Sequence, residues 1–594
     1  MDPAWRDPAT EAAILADISL DEPWALVEHF STLTRLSGSE DEARAVDYIT
    51  SRLSEWGIEH AVYHPTCLIS LPGPATLRTL GPDGRNFNVK TPSFSPTTDG
   101  QEVEAELVYI PGSQAAGINE LFSEQRTAVG QDLRGKIVMT EGLGIAARGF
   151  DLAGSGAVAA LFINPGERIH EGITTTSWGS PDLTSTDRTP PVPILAINRP
   201  DGQALIDMLS NGPVHVAFSN QTDTSWREIP VVVAEIPGRA ESDDFLLFHG
   251  HIDSWHVGVG DNATGDATLL ELARVFNQHR DKLDRAIRVA WWSGHSHGRY
   301  AGSTWYADEF ALDILQNCIA HVNCDSPGCR WATVYENVSW MSEAGAFVQS
   351  VIRDVAGMDS SGEGHVLRAG DCSFNNLGVT TYFMLSSTMP QELVAEKGYY
   401  SVGGCGGNIA WHTEDDTIDI ADRDNLLRDM RVYATAILRT LNAPVLPFDY
   451  RATVDELSAA VARYQDAAGH DFDLEPTQDA LEALRDALDE MYEAFATIGD
   501  DDDRRSAAND AQVDIARILV TLGYTRDGRF RQDPARGIPT LPALACALQL
   551  PDADPGFRPV LLNELRREQN AVVWELIQAV ATVEQAIEWQ SPRE

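Results

Sequence analysis

Between Ile229 and Leu446, short apolar runs alternate with polar loops and with stretches of helical periodicity. The apolar runs include VVVAEIP, FLLFHGH and AIRVAWW, and the stretch ATLLELARVF between the last two has the apolar spacing of a helix. This alternation predicts an α/β sheet with helices on both faces, because each amphipathic helix must bury its apolar stripe. Ligand-binding side chains of such a sheet are expected at the carboxyl ends of its strands.

The remaining segments differ in their patterns of apolar and polar residues, and these differences divide the chain into predicted domains. Residues 1–100 contain amphipathic helical stretches and are predicted to be the N-terminal part of the catalytic domain. Residues 101–228 alternate short apolar runs with Gly, Pro and polar turns, which predicts an inserted β-rich module. Residues 229–447 form the predicted α/β domain. Residues 448–594 are strongly amphipathic, which predicts a helical domain.

The charge and cysteine content restrict the partners and the location. With 89 acidic and 44 basic residues, the chain has a formal net charge of -45 and should repel nucleic acid and anionic membranes. No run of 18 apolar residues occurs, so we expect no membrane-spanning segment. Seven cysteines without a CxxC pair, and the lack of a basic and apolar leader, predict a reducing cytoplasmic location.

Four clusters of metal-ligand residue types follow strand-like runs. The first, HGHIDSWHVGVGDNATG, places His251 two residues before Asp253 and ten before Asp261. Imidazole and carboxylate groups are common ligands of first-row divalent metals, so four such clusters predict a hydrolase with two metal ions. The other three clusters are GHSHG at 294–298, HVNCDSPG at 321–328 and AWHTEDDT at 410–417.

The motifs HGHIDSW, GDNATG, HVNCDS and WHTEDDT occur in this order, after an inserted module and before a helical tail. In this respect the chain resembles the co-catalytic zinc peptidases that include glutamate carboxypeptidase II and bacterial leucyl aminopeptidases, over nearly its whole length. The resemblance implies a zinc-peptidase-like mixed sheet flanked by helices. It also implies that the insert, with DLRGKIVMTEG and GAVAALFIN, is a protease-associated domain, and that the tail resembles the dimerisation domain of transferrin-receptor-like members.

The same resemblance implies roles for individual residues. Asp261 would bridge two divalent metal ions and would be followed by a cis peptide bond. His251 and Asp325 would hold one metal ion, and His412 would hold the other. Asp253 would hydrogen-bond a ligand imidazole and fix its tautomer. Zinc is the implied metal.

The chain departs from these peptidases where they carry two adjacent Glu residues, one a general base and one a metal ligand. Here it reads WWSGHSHGRYAGS. One inserted residue, Ser296, would align His295 with the base and His297 with the ligand, and in an extended segment both would face the metals. His297 would then complete a set of two imidazoles and one carboxylate, which suits zinc and also iron or manganese. His295 would carry the proton.

Several alternatives stay open at this point. GHSHG also fits the G-x-S-x-G nucleophile elbow of serine hydrolases, with Ser296, an Asp and His412 as the triad, although this leaves His251, Asp261 and Asp325 without a role. Loss of the Glu pair also leaves open a single metal, a non-catalytic binding protein like the metal-free transferrin-receptor-like members, or other amide chemistry such as cyclisation.

The sequence therefore predicts a metal-dependent hydrolase of an amide or peptide bond in a small substrate, with metal-bound water as the nucleophile. Arg299 and Arg368 are the candidate partners of a substrate carboxylate, because a guanidinium can bind a carboxylate through two parallel hydrogen bonds. The apolar stripes of the tail exceed what one small helical layer can cover. They predict a two-fold homodimer formed through the helical domain.

Overall fold

The computed structural model describes residues 7–590, apart from 83, 113–114, 116–132, 145–153, 241, 364 and 384. It shows a mixed α/β fold, as the sequence predicts. The strands are β1 (Glu59–Tyr63), β2 (Thr66–Thr79), β3 (Asn86–Phe87), β4 (Val89–Lys90), β5 (Val103–Tyr109), β6 (Lys136–Glu141), β7 (Ala159–Ile163), β8 (Ile194–Ile197), β9 (Val214–Glu228), β10 (Val231–Ile236), β11 (Phe245–His251), β12 (Ala286–Trp292), β13 (Cys318–Asn323), β14 (Tyr335–Ser339), β15 (Ser360–Glu363) and β16 (Thr381–Tyr382).

The central sheet has the strand order β1-β10-β12-β11-β13-β16. Strands β12, β11, β13 and β16 run parallel, whereas β10 is antiparallel to both β12 and β1. Every residue of β11 is buried, as expected for a strand covered on both faces. The carboxyl ends of β11, β12 and β13 lie at the same edge of the sheet. The loops that follow His251, Trp292 and Asn323 therefore meet there.

Helices pack on both faces of this sheet. Along β11, Leu246 and Phe248 belong to one buried cluster, and Phe245 and Leu247 to another on the opposite face. The helices of the chain are α1 (Pro8–Asp17), α2 (Asp21–Phe30), α3 (Glu40–Glu55), α4 (Arg199–Ser210), α5 (Thr264–Gln278), α6 (His295–Gly298), α7 (Ala301–Glu309), α8 (Ala311–Asn317), α9 (Gly345–Ala356), α10 (Gln391–Lys397), α11 (Arg423–Leu441), α12 (Tyr450–Ala468), α13 (Glu475–Phe495), α14 (Asp502–Tyr524) and α15 (Arg558–Gln590).

A second sheet of eight strands has the order β3-β2-β9-β5-β6-β7-β8-β4. It uses residues between 66 and 228, so strands that precede residue 101 belong to it. The chain enters this module along β2 and returns along β9, which pair antiparallel with Thr66 opposite Glu228. The predicted boundary at residue 101 therefore lies too late, because the entering strand pairs with the returning one.

The helices α12 to α15 form the C-terminal helical region, and their buried leucines share one core with the central sheet. Arg517 on α14 is buried and joins the two parts. Its guanidinium donates hydrogen bonds of 2.6–3.1 Å to four backbone carbonyl oxygens, those of Ile314, Leu315, Cys318 and Gly378. Among the described residues, no helix has the length and apolarity needed to cross a membrane.

Arg517→Met should destabilise the protein by about 3 kcal/mol or more, because buried carbonyl groups that lose their donor keep their desolvation cost. Differential scanning calorimetry should show a clear fall in Tm. The matched control is Arg566→Met, which removes an exposed guanidinium from α15 and should change stability by no more than about 0.5 kcal/mol. Equal Tm values for the two variants would contradict the role of Arg517.

Candidate functional site

A cavity opens at the carboxyl edge of the central sheet, between this sheet and the inserted module. The insert contributes Lys90, His170 and Glu171 to its wall, and Trp411 adds an aromatic face. Five of the residues predicted from the sequence also line it: Asp261, His295, Arg299, Asp325 and His412.

The carboxylate of Asp261 lies between two imidazoles. Its Oδ1 is 3.0 Å from Nε2 of His251, and its Oδ2 is 3.0 Å from Nε2 of His412. Asp261 stands in the turn that precedes α5, and its peptide bond to Asn262 is cis, as the resemblance implies. Burial alone would raise the pKa of Asp261, but hydrogen bonds from the two imidazoles hold it well below its ordinary value.

His251 ends β11 and is held in one orientation. Its Nδ1 donates to the backbone carbonyl of Asp253 at 2.9 Å, so Nε2 faces Asp261 and, at 3.7 Å, Oδ2 of Asp325. Burial alone would lower the pKa of His251, but the two carboxylates raise it well above its ordinary value. The space between these groups therefore favours positive charge, which a divalent cation supplies.

The carboxylate of Asp253 does not form the predicted hydrogen bond to the imidazole of His251. Its Oδ1 lies 3.8 Å from Nδ1 of His251, beyond hydrogen-bond distance, and the backbone carbonyl of Asp253 orients that imidazole instead. The carboxylate accepts hydrogen bonds from the backbone N–H groups of His295 and Ser296, at 3.2 and 2.9 Å, and from the Ser37 hydroxyl at 2.6 Å. It therefore holds the GHSHG segment in place.

The GHSHG segment forms one helical turn, α6, and is not extended as predicted. It follows Gly294, whose φ of 77° is in the left-handed region that glycine tolerates. Residues two apart on a helix point to different sides, so His295 and His297 diverge. His297 is buried against Trp255, with ring centroids 4.2 Å apart, and its Nδ1 lies 3.0 Å from the Ser37 hydroxyl. The structure therefore brings His295 to the cavity and does not bring His297 there.

Asp371 fixes the orientation of the His295 imidazole. Its Oδ2 lies 2.9 Å from Nδ1 of His295, and its Oδ1 accepts a hydrogen bond from the Ser303 hydroxyl at 2.7 Å. This arrangement leaves Nε2 of His295 for the cavity. Asp371 was not predicted, because a single Asp in the segment AGDCS carries no spacing signal that links it to a histidine 76 residues earlier.

The residues at this edge fit divalent metal ions. His251, His295 and Asp325 offer ligand atoms that all lie within 4.8 Å of one another. The imidazoles of His251 and His295 are stacked, with centroids 3.7 Å apart and an interplanar angle of 15°. Because imidazole lone pairs lie in the ring plane, two nearly parallel rings do not direct them to one point. His251, Asp261 and Asp325 therefore form the better donor set, with Asp261 and His412 available to a second ion.

The inserted module positions His412. Nδ1 of His412 donates to the backbone carbonyl of Glu171 at 3.0 Å, and the Glu171 N–H donates back to the His412 carbonyl at 2.9 Å. Next to them, Nδ1 of His170 donates to the Trp411 carbonyl at 2.6 Å, and burial lowers the pKa of His170 to about 4. These contacts could not be predicted from local sequence patterns, because they join residues about 240 positions apart.

The serine triad considered above is not assembled. Ser296 is 1% exposed, and its hydroxyl oxygen is buried without a hydrogen-bond partner among the described residues. Both ring nitrogens of His412 face other groups, the Asp261 carboxylate and the Glu171 carbonyl. A serine mechanism would therefore need a different arrangement of this edge.

The two predicted carboxylate-binding arginines differ in position. Arg299 lines the cavity. Arg368 is buried elsewhere: its guanidinium donates to the backbone carbonyls of Asp533 and Pro534 and lies 4.2 Å from the centroid of the Trp178 ring. The structure therefore uses Arg368 to attach the C-terminal region and does not bring it to the cavity.

Comparison with known proteins gives relatives of low sequence identity among peptidases. The chain is 23% identical over 517 residues to a probable glutamate carboxypeptidase, VP8, of Zea mays, covering 76% of this chain and 70% of that protein. It is 24% identical over 399 residues to the aminopeptidase NAALADL1 of Mus musculus, covering 52% of each chain. The matched region thus spans about half the length of NAALADL1.

Solved structures share the fold. An aminopeptidase from Aneurinibacillus sp. strain AM-1 superposes with a TM-score of 0.52 at 20% identity, over 72% of this chain and 95% of that chain. BSAP, a zinc aminopeptidase from Bacillus subtilis, gives a TM-score of 0.51 at 18% identity, over 71% and 94%. Residues 231–437 match the model described as Peptidase family M28. The resemblance to metallopeptidases is confirmed, and these residues carry the similarity to peptidase family M28.

Proposed function

We propose that this protein is a metal-dependent peptidase that hydrolyses an amide bond in a small peptide, using two divalent metal ions. The observation that carries the proposal is the Asp261 carboxylate, whose two oxygens face His251 and His412 at 3.0 Å each within one cavity. The match of residues 231–437 to the model of peptidase family M28 supports peptide hydrolysis. The likeness to a named zinc aminopeptidase, together with the imidazole and carboxylate donors, supports zinc.

In this proposal His251, Asp261 and Asp325 would hold one ion, and Asp261 and His412 would hold the other. Bound divalent ions supply the Lewis acidity for amide hydrolysis, by lowering the pKa of water and polarising the scissile carbonyl. The second position has fewer protein donors than the first among the described residues. We therefore expect one tightly held and one exchangeable ion.

His295 carries the proton in this proposal. Its Nε2 accepts the proton of the attacking water and returns it to the nitrogen of the leaving amine, which balances the hydrolysis. Asp371 accepts a hydrogen bond from Nδ1–H, so that Nε2 keeps its lone pair, and it stabilises the imidazolium that forms. The stacked position of His295 on His251 places this base beside the metal ligands.

The ligand and base assignments predict different losses on substitution. Asp261→Ala should abolish tight metal binding, because both ions share this carboxylate. His295→Ala should keep its metal but lose roughly 10²- to 10⁴-fold in kcat, the usual contribution of a positioned general base. The control, His297→Ala, should keep its metal and should lack the kcat loss of a base. Mass spectrometry measures the metal content of each variant, and peptide cleavage assays before and after chelation measure kcat and its dependence on metal. Metal loss in His295→Ala would show that His295 is a ligand and not the base.

Asp371→Asn tests the orientation of His295. An asparagine amide can donate to Nδ1, which would place the proton on Nε2 and remove the base. We expect kcat to fall about as far as in His295→Ala, with metal content unchanged. Selective ¹⁵N labelling of histidine should show the changed tautomer by NMR. Ser303→Ala is the matched control, because it removes one hydrogen bond to Asp371 and keeps the carboxylate; an unchanged tautomer in Asp371→Asn would contradict the proposed role.

We further propose a homodimer formed through the C-terminal helices. Trp574 and Ile577 lie three residues apart on α15 and are 60% and 49% exposed. Large apolar side chains that share one face of a long helix favour contact with another protein surface. The net charge of -45 opposes association of two copies, so the contact should strengthen as salt screens this repulsion.

Light scattering at micromolar concentration in moderate salt should give twice the mass of one chain. The double variant Trp574→Asp, Ile577→Asp should give the mass of a single chain, because it places charges in the proposed contact. Leu312→Asp is the control: Leu312 is 69% exposed but lies on the central domain, so this variant should remain dimeric. A monomeric wild-type protein would contradict the proposal.

A further inference from the structure

We infer that Arg299 binds a free carboxylate of the substrate, so that the enzyme acts on peptides with a carboxylate next to the scissile bond and not on a free amino terminus. The inference rests on the proposed peptidase function and specifies its substrate class. It follows from the charged groups that line the cavity.

Arg299 is a buried cation that has no ion pair and no side-chain hydrogen bond among the described residues. It is 6% exposed, its Nε is buried without a hydrogen bond, and no described carboxylate forms an ion pair with its guanidinium. Its side chain lines the same cavity as Asp261, Asp325 and His412. A guanidinium does not lose its proton in proteins, and an unpaired buried charge is costly. We therefore expect the guanidinium of Arg299 to bind an anion in the cavity.

The position of Arg299 is fixed relative to His295. Its backbone adopts φ of 51°, and its carbonyl accepts a hydrogen bond from the Gly179 N–H of the insert at 2.6 Å. The next residue, Tyr300, contacts Trp178 and His295, with ring centroids 4.3 and 4.8 Å apart. The guanidinium carbon lies 5.3 Å from the Tyr300 ring centroid. An anion bound by Arg299 is thus held at a defined place relative to the proposed base.

The carboxylates of the cavity do not offer an equivalent site for an ammonium group. Glu171 is already paired: its Oε1 lies 2.9 Å from Nζ of Lys90 and 3.3 Å from Nε2 of His256. Asp261 and Asp325 are the proposed metal ligands. Among the described lining residues, no carboxylate is left for a substrate amine, whereas one guanidinium is left for a carboxylate. The planar fork of Arg299 matches a carboxylate through two parallel hydrogen bonds.

A matched set of peptides tests the inference with the zinc-loaded protein. N-acetyl-alanyl-leucine has a free carboxylate, N-acetyl-alanyl-leucinamide lacks it, and alanyl-leucinamide has only a free amine. We expect kcat/KM for the free acid to exceed that for either amide by about 10- to 100-fold, the usual range for hydrogen bonds to a charged group. In Arg299→Met this preference should fall to near one, through a lower kcat/KM for the free acid.

Two further variants and a binding measurement complete the test. Arg299→Lys keeps the charge without the fork and should keep only part of the preference. Arg44→Met removes an exposed guanidinium from α3, whose side chain is 61% exposed, and should behave as wild type. Calorimetric titration with N-acetylleucine and N-acetylleucinamide, which contain no peptide bond between residues, measures carboxylate binding without turnover.

The outcomes separate this inference from the proposed function. Metal-dependent cleavage of all three peptides without preference for the acid, or a preference that survives in Arg299→Met, would overturn the role of Arg299 and leave the peptidase function intact. Tighter binding of N-acetylleucine that depends on Arg299, without cleavage of any peptide, would support the carboxylate site and contradict the peptidase function. Equal binding of both titration ligands would overturn the inference.

Discussion

The site depends on one buried carboxylate that must face two imidazoles at once. Asp261 can do so only because distant parts of the chain converge on it: His251 arrives at the end of β11, and His412 is held by the inserted module through Glu171. The carboxylate of Asp416 holds the backbone at Asp261 in place by accepting a hydrogen bond from the Asp261 N–H at 3.0 Å. A buried carboxylate with these neighbours favours positive charge between them, which is the condition for binding divalent ions.

The proposed use of a histidine as the base, in place of a carboxylate, changes what the surrounding structure must provide. A carboxylate can accept a proton on either oxygen, whereas an imidazole serves as a base only on the nitrogen that its tautomer leaves free. As the proposed base, His295 needs the contact of Asp371 with its Nδ1, and Asp371 in turn accepts a hydrogen bond from Ser303. The carboxylate of Asp253 holds the backbone of the same turn. A histidine base at this position would thus depend on several supporting contacts.

Much of this could be predicted from the sequence, and the reasons for success and failure are physical. The α/β class, and the arrival of Asp261 and Asp325 at one cavity, follow from apolar periodicity and from the rule that strand ends gather ligands. The position of His297 could not be predicted, because five residues rich in Gly and His fit an extended and a helical turn equally well. Asp371 and the true start of the insert depend on pairings between distant residues, which local patterns do not encode.

The net charge of the protein and the charge of Arg299 have opposite signs and act on an anionic peptide at different distances. The net charge of -45 repels anionic peptides at long range, and salt screens that repulsion. Arg299 acts only inside the cavity, where the lower dielectric strengthens a hydrogen-bonded ion pair. The proposed selectivity for a carboxylate therefore cannot come from the surface field, which favours cations. In the proposed mechanism it comes from desolvation and from the fixed position of one guanidinium beside His295. The geometry of the short segment from Gly294 to Tyr300 would then decide both recognition and proton transfer.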